Sequence, residues 1–207
     1  MNAWYWLLLV AGTALLAVLA VYHQRILPLE RELVRPAWQP VEAARPSPGV
    51  RLEQADGRLT VHFPGGEPLT FHAAETQVPD HGYAVLELGS RRLLALLDQG
   101  KRKRLYLIDT ERAAQGGTLD AGMVGWWRHG NGYLLAAAGD RLVEVHRCLG
   151  RDLIYLVDPY RAMIGHAYGM GIERTLISPK PSLSWLAVEG ERLVVGEGQR
   201  AWQTEIA

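Results

Sequence analysis

The chain opens on an unbroken apolar run and then changes texture. Residues 4–22 (WYWLLLVAGTALLAVLAVY) carry no charged side chain. At about 1.5 Å per residue a helix of that length reaches roughly 28 Å, close to the hydrocarbon thickness of a bilayer. A helix also satisfies its own backbone hydrogen bonds in lipid. Trp4, Tyr5 and Trp6 at one end and Tyr22 at the other stand where interfacial aromatics belong. The pattern predicts a short tail over 1–3 and one transmembrane helix over 4–22, with the lipid bilayer as its partner. A cleaved secretory signal is the competing reading, with Val18, Leu19 and Ala20 as its cleavage site. Against it, no Lys or Arg precedes the run, and the run exceeds the usual length of a signal's apolar core. Thr13, Ala17 and Ala20 share one face of the helix, where small residues would let a partner helix approach closely.

Residues 23–49 read as a juxtamembrane segment and proline-rich linker. Ile26, Leu29 and Leu33 suggest an interfacial stripe that Pro28 interrupts. The stretch 35–49 (RPAWQPVEAARPSPG) holds four prolines, whose fixed φ and missing donor predict an extended, semi-rigid spacer.

From 50 to 207 the pattern becomes short apolar runs punctuated by glycine, which predicts a β-rich domain. Strands are expected at 50–54, 58–63, 69–72, 83–88, 92–97, 104–108, 133–138, 142–146, 153–157, 183–188 and 192–195. Leu59, Val61 and Phe63 alternate with polar neighbours, the period of a strand with one buried face. The longest helix expected here is a single turn at 111–114. A weak internal repeat supports hairpins: 135–143 (LAAAGDRLV) matches 186–194 (LAVEGERLV) at seven of nine positions when Asp and Glu count as alike, and 82–91 loosely matches 132–141. Each unit reads as strand, glycine turn, strand. The spacing near 50 residues is that of propeller blades. The fold class is therefore one N-terminal transmembrane helix plus a mostly-β domain of about ten strands: sandwich, barrel or small propeller-like meander.

Composition changes this picture little. The 207 residues include 22 basic and 22 acidic side chains, so no net field attracts nucleic acid. Only Lys101, Lys103 and Lys180 are lysines among the basic residues, a bias expected of a GC-rich bacterial genome. Cys148 is the sole cysteine, which excludes an intramolecular disulfide and a cysteine-based zinc site. Arg25, Arg31 and Arg35 follow the apolar run, so the charge rule places the C-terminal domain in the cytoplasm; the run's signal-like position favours the periplasm instead. The location expected is the bacterial inner membrane, crossed once.

No catalytic or cofactor signature emerges. The histidines, His23, His62, His72, His81, His129, His146 and His166, form no H-E-x-x-H pattern, and there is no C-x-x-C or G-x-S-x-G. His62 and His72 could face each other across a hairpin, and His146 and Cys148 share a strand face. Asp109, Asp152 and Asp158 sit at strand ends, where carboxylates either catalyse or bond their own backbone. The glycine-rich 165–171 (GHAYGMG) fits no phosphate loop. Neither metal nor cofactor is expected. Interaction candidates are the basic tip Lys101, Arg102, Lys103 and Arg104, the aromatics Trp126 and Trp127, and the loop histidines His129 and His166. The resulting expectation is a non-enzymatic accessory or scaffold subunit of a membrane or envelope complex, working through protein contacts of its β domain. The alternatives are a tethered ligand-binding or sensing module, and a hydrolase using strand-end Asp and His.

Overall fold

Alternation along the strands decides how this chain layers. The computed structural model describes residues 3–21, 33–47, 49–72, 83–89, 92–98, 104–128, 132–148, 150–164 and 171–206. Helix α1 (Ala3–Val21) comes first. Most of the elements that follow are strands, in four separate sheets.

Sheet I is β3 (Arg51–Ala55), β4 (Arg58–His62) and β5 (Leu69–His72), and sheet II is β6 (Tyr83–Leu88), β7 (Leu93–Asp98), β8 (Arg104–Asp109) and β9 (Met123–Arg128). Sheet III runs β10 (Gly132–Ala138), β11 (Arg141–Cys148), β12 (Arg151–Val157) and β13 (Ile172–Ile177); sheet IV begins β14 (Trp185–Glu189), β15 (Arg192–Glu197) and β16 (Arg200–Glu205). Each is an antiparallel meander whose strands pair in chain order.

The sheets stack face to face in a row. Leu59, Val61 and Phe71 of sheet I meet Leu94 and Ile108 of sheet II. The other face of sheet II gives Leu93, Ala95, Leu97, Leu105 and Leu107 to Leu142, Tyr155 and Val157 of sheet III. The far face of sheet III carries Val143, Val145, Ile154 and Leu156 against Leu186, Leu193 and Val195 of sheet IV. Strand β7 is therefore buried on both faces, which is why it reads Leu-Leu-Ala-Leu-Leu rather than alternating. Each fully buried leucine contributes about 1.5–3 kcal/mol of transfer free energy. Among the described residues the β structure thus forms a row of four meanders.

The expected repeats fall on equivalent hairpins: 135–143 is the β10–β11 turn and its flanks, and 186–194 the same part of β14–β15. Gly139 and Gly190 supply the left-handed residue at each turn, with φ of 61° and 64°. A second repeat went unseen in the sequence pattern. Between third and fourth strands, sheet II inserts α2 (Thr110–Gly116) and a 3-10 turn (Asp120–Gly122), and sheet III inserts α3 (Pro159–Ile164). Asp109 caps α2 through the amides of Glu111 and Arg112; Asp158 caps α3 through those of Tyr160 and Arg161. Gly122 and Gly171 then close each insertion so tightly that a Cβ would lie 2.6 Å from the side chains of Ala113 and Ala162, respectively. The expectation of one turn at 111–114 thus falls short of α2 and omits α3.

Within 23–49, expected as a juxtamembrane segment and linker, two short strands join the sheets. β1 (Leu33–Val34) lies parallel to β13 at the edge of sheet III, and β2 (Gln39–Val41) pairs antiparallel with β16 to complete sheet IV. The Trp38 indole donates to the carbonyl of Ile177 at 2.9 Å. Pro40 is tolerated because β2 is an edge strand, where its missing N–H breaks no ladder. Strands β9, β13 and β16 were likewise absent from the expected set.

Candidate functional site

The densest polar cluster joins sheets III and IV around Asp152, the second residue of β12, whose side chain has no exposed surface. Its Oδ2 accepts from the Tyr133 hydroxyl on β10 and from the amide of Leu183 at 2.8 Å. Its Oδ1 accepts from Arg147 Nε on β11 at 3.3 Å. The backbone of Asp152 accepts from Ser178 N at 3.2 Å. One carboxylate therefore binds three strands of sheet III to the segment that leads into β14. Arg147 stacks over the Tyr133 ring, 5.1 Å from its centroid. Burial, reinforced by the neighbouring Asp152, pushes the Tyr133 phenol up to about 12, while Arg147 pulls the other way.

A second cluster lies on the opposite face of sheet III, inside the interface with sheet II. His146 Nε2 and Glu144 Oε2 are 2.8 Å apart, and both residues are buried. The Tyr155 ring meets that of His146 edge-on, with centroids 4.7 Å apart. Burial foremost, then the nearby Cys148 and Glu144, raise the Tyr155 phenol to about 12. Thr175, beside Tyr155 in register, is fully buried and its hydroxyl has no hydrogen-bond partner among the described residues.

These tyrosines predict an alkaline transition. These two phenols ionise near pH 10 in the unfolded chain and near pH 12 in the folded one. Stability is full below pH 10 and is lost as pH climbs from about 10 to 12, with Tyr155 contributing on the order of 2 kcal/mol. Urea midpoints measured at pH 9 and pH 11 should fall accordingly, and Tyr155→Phe should flatten the fall. Equal midpoints for the native chain would remove this account.

The structure separates residues that the sequence pattern grouped. His62 lies opposite Arg51 and His72 opposite Arg58, at different ends of sheet I, so the two histidines do not face each other. His62 instead contacts Glu53 at 3.2 Å. His146 and Cys148 do share one face of β11, with Cys148 exposed. Asp109 and Asp158 cap helices, and Asp152 is wholly engaged in the cluster described above. Arg104 opens β8, in register with Asp98 and Arg128. Lys101, Arg102, Lys103, His129 and His166 lie outside the described residues, and for Trp126, Trp127 and Ala20 only the backbone is described. Trp126 and Trp127 fall on β9, opposite Tyr106 and Leu105. Thr13 and Ala17 are exposed on α1, and the Thr13 hydroxyl bonds back to the carbonyls of Leu9 and Val10.

Sequence reasoning had placed Asp152 at a strand end but gave no sign that Tyr133, Arg147 and Leu183 converge on it, since the last is 31 residues away. Hollows open on the surface of the described residues. One of about 320 Å³ is lined by Ala37, Gln39, Arg192, Gln203, Thr204 and Glu205; another, about 540 Å³, lies over Glu53, Arg58, Thr60 and Thr70 of sheet I. Among the described residues, no group of three His, Cys, Asp or Glu is placed to hold a metal. No family model matches the chain, and neither does any curated protein.

Proposed function

We propose that this chain is a membrane-anchored accessory or scaffold subunit of a bacterial envelope complex, with α1 giving location and the β domain giving a docking surface. The observation that carries the reading is the surface of α1. Trp4, Trp6, Leu8, Leu9, Leu16 and Val18 are all more than half exposed, and they cover the helix on every side. A helix apolar all round belongs in a nonaqueous setting, either a protein core or lipid. Its sequence carries no charged residue from Ala3 to Val21. Over the described residues alone, no helix is long and apolar enough to cross a membrane; the described side chains of α1 cover only 4–19. The 19 residues of its backbone correspond to about 28 Å.

The domain is read as propeller-type. Strands β6, β10 and β14, the first of three successive meanders, are neighbours in that order and run the same way. Stacked blades suit protein contacts spread over a broad rim.

The test is purification of the tagged full chain from bacterial membranes in mild detergent. The expected result is one membrane or envelope protein at a fixed ratio to the chain, retained through size exclusion. A lone monomer under the same conditions overturns the proposal.

A further inference from the structure

The chain is neutral overall, yet the stack of sheets II, III and IV is not uniform from end to end. At one end lie α2, α3 and the β6–β7, β10–β11 and β14–β15 turns. Gly89 abuts Asp140 there, and Arg174 donates to the carbonyl of Ile206 at 3.1 Å. Acidic residues dominate this end: Asp120, Asp140, Glu173, Glu189, Glu191 and Glu205. Three of its arginines are already paired: Arg92 with Glu87 at 3.5 Å, Arg141 with Glu173 at 2.8 Å and Arg192 with Glu189 at 3.8 Å.

The opposite end holds the β11–β12 and β15–β16 turns and the start of β8. Register places Arg104 beside Arg128, Arg151 beside Cys148, and Arg200 beside Glu197. Lys180 sits over the Trp202 ring at 5.8 Å, and Arg147 is taken up by Asp152. Among the described residues the remaining acids here are Asp98 and Glu197, so the described part of this end is basic. Arg151 and Arg200 are exposed.

We infer that this basic end docks on anionic phospholipid headgroups, so that the β domain stands on the membrane by the end that carries Cys148. The inference rests on the anchored reading of α1, which would hold the domain at high local lipid concentration. The sequence between α1 and β1 could extend roughly 35 Å, enough to allow either end to face the bilayer. Charge then chooses. An anionic surface attracts each nearby Lys or Arg and repels the acidic end. The basic groups are long side chains set on turns, which suits a headgroup layer better than a single phosphate pocket would.

Cys148 is exposed at this end and is the chain's only thiol, so it can carry a fluorescent donor without a substitution. The full chain is reconstituted in vesicles of phosphatidylcholine, or of phosphatidylcholine with roughly a quarter phosphatidylglycerol, each with headgroup-labelled acceptor lipid. Energy transfer should be higher on the phosphatidylglycerol vesicles. It should fall to the phosphatidylcholine level at about 1 M salt, where the screening length is about 3 Å. Arg151→Glu with Arg200→Glu should weaken docking on the order of tenfold or more, whereas Glu191→Lys at the other end should not weaken it. Equal transfer on the two vesicle types overturns the inference, as does transfer insensitive to salt. Flotation with phosphatidylcholine vesicles reports the anchor separately. A chain that floats but shows no preference for phosphatidylglycerol keeps the anchored reading and loses this one. A chain that binds only phosphatidylglycerol vesicles, and leaves them in salt, keeps this inference and loses the anchor.

Discussion

Asp152→Ala should cost the domain about 2–4 kcal/mol, since two donors lose the acceptor that a buried carboxylate gives them. The loss has two parts. The Tyr133 hydroxyl and the Leu183 amide each lose their acceptor, while Arg147, an exposed side chain, returns to water. For a domain of this size the melting temperature should fall by roughly 10 °C, at 2–4 °C per kcal/mol. Asp152→Asn keeps the shape and one acceptor oxygen, so its loss should be smaller. Thermal unfolding of the three proteins, followed by circular dichroism, decides the matter. An alanine variant that melts with the native chain would show that the cluster is incidental to the joint between sheets III and IV.

Charging α1 should have the largest effect on location. With Leu9→Arg and Leu16→Arg, each arginine costs about 2.5–3.5 kcal/mol near the centre of a lipid-embedded helix. The chain should then move from the carbonate-resistant membrane fraction to the soluble fraction, while the melting of the β domain stays unchanged. The native chain should resist carbonate. Extraction of the native chain by carbonate, or indifference of its distribution to the two arginines, sinks the anchored reading.

Strand period and glycine turns made much of the β domain legible before any coordinates. The 135–143 and 186–194 hairpins fall where the repeat placed them because a turn needing φ > 0 leaves a glycine at a constant offset from two apolar runs. Strands β9 and β16 were missed for the opposite reason. Met-Val-Gly-Trp-Trp-Arg and Arg-Ala-Trp-Gln-Thr-Glu show neither clean alternation nor a long apolar run. The helical insertions were missed because their signal is a pair of distant residues. Asp109 with Gly122, and Asp158 with Gly171, mark each one, and the parallel between 106–113 (YLIDTERA) and 155–162 (YLVDPYRA) shows it only when sought at that spacing. Proline misled the reading of 35–49 in part, since Pro40 is compatible with an edge strand and composition alone does not distinguish a free spacer from an edge. The Asp152 cluster was illegible because its members meet only after two sheets have stacked. The face that each sheet turns to its neighbour follows from alternation, but which sheet that neighbour is does not.

The pairing of β2 with β16 has a consequence for biosynthesis. Strand β2 is made long before β16, its partner, so the fourth sheet is one strand short until 200–205 has emerged. Nascent chains stalled before Arg200 should therefore remain protease-sensitive around 39–41, and emergence of β16 lets the early segment close against the late one.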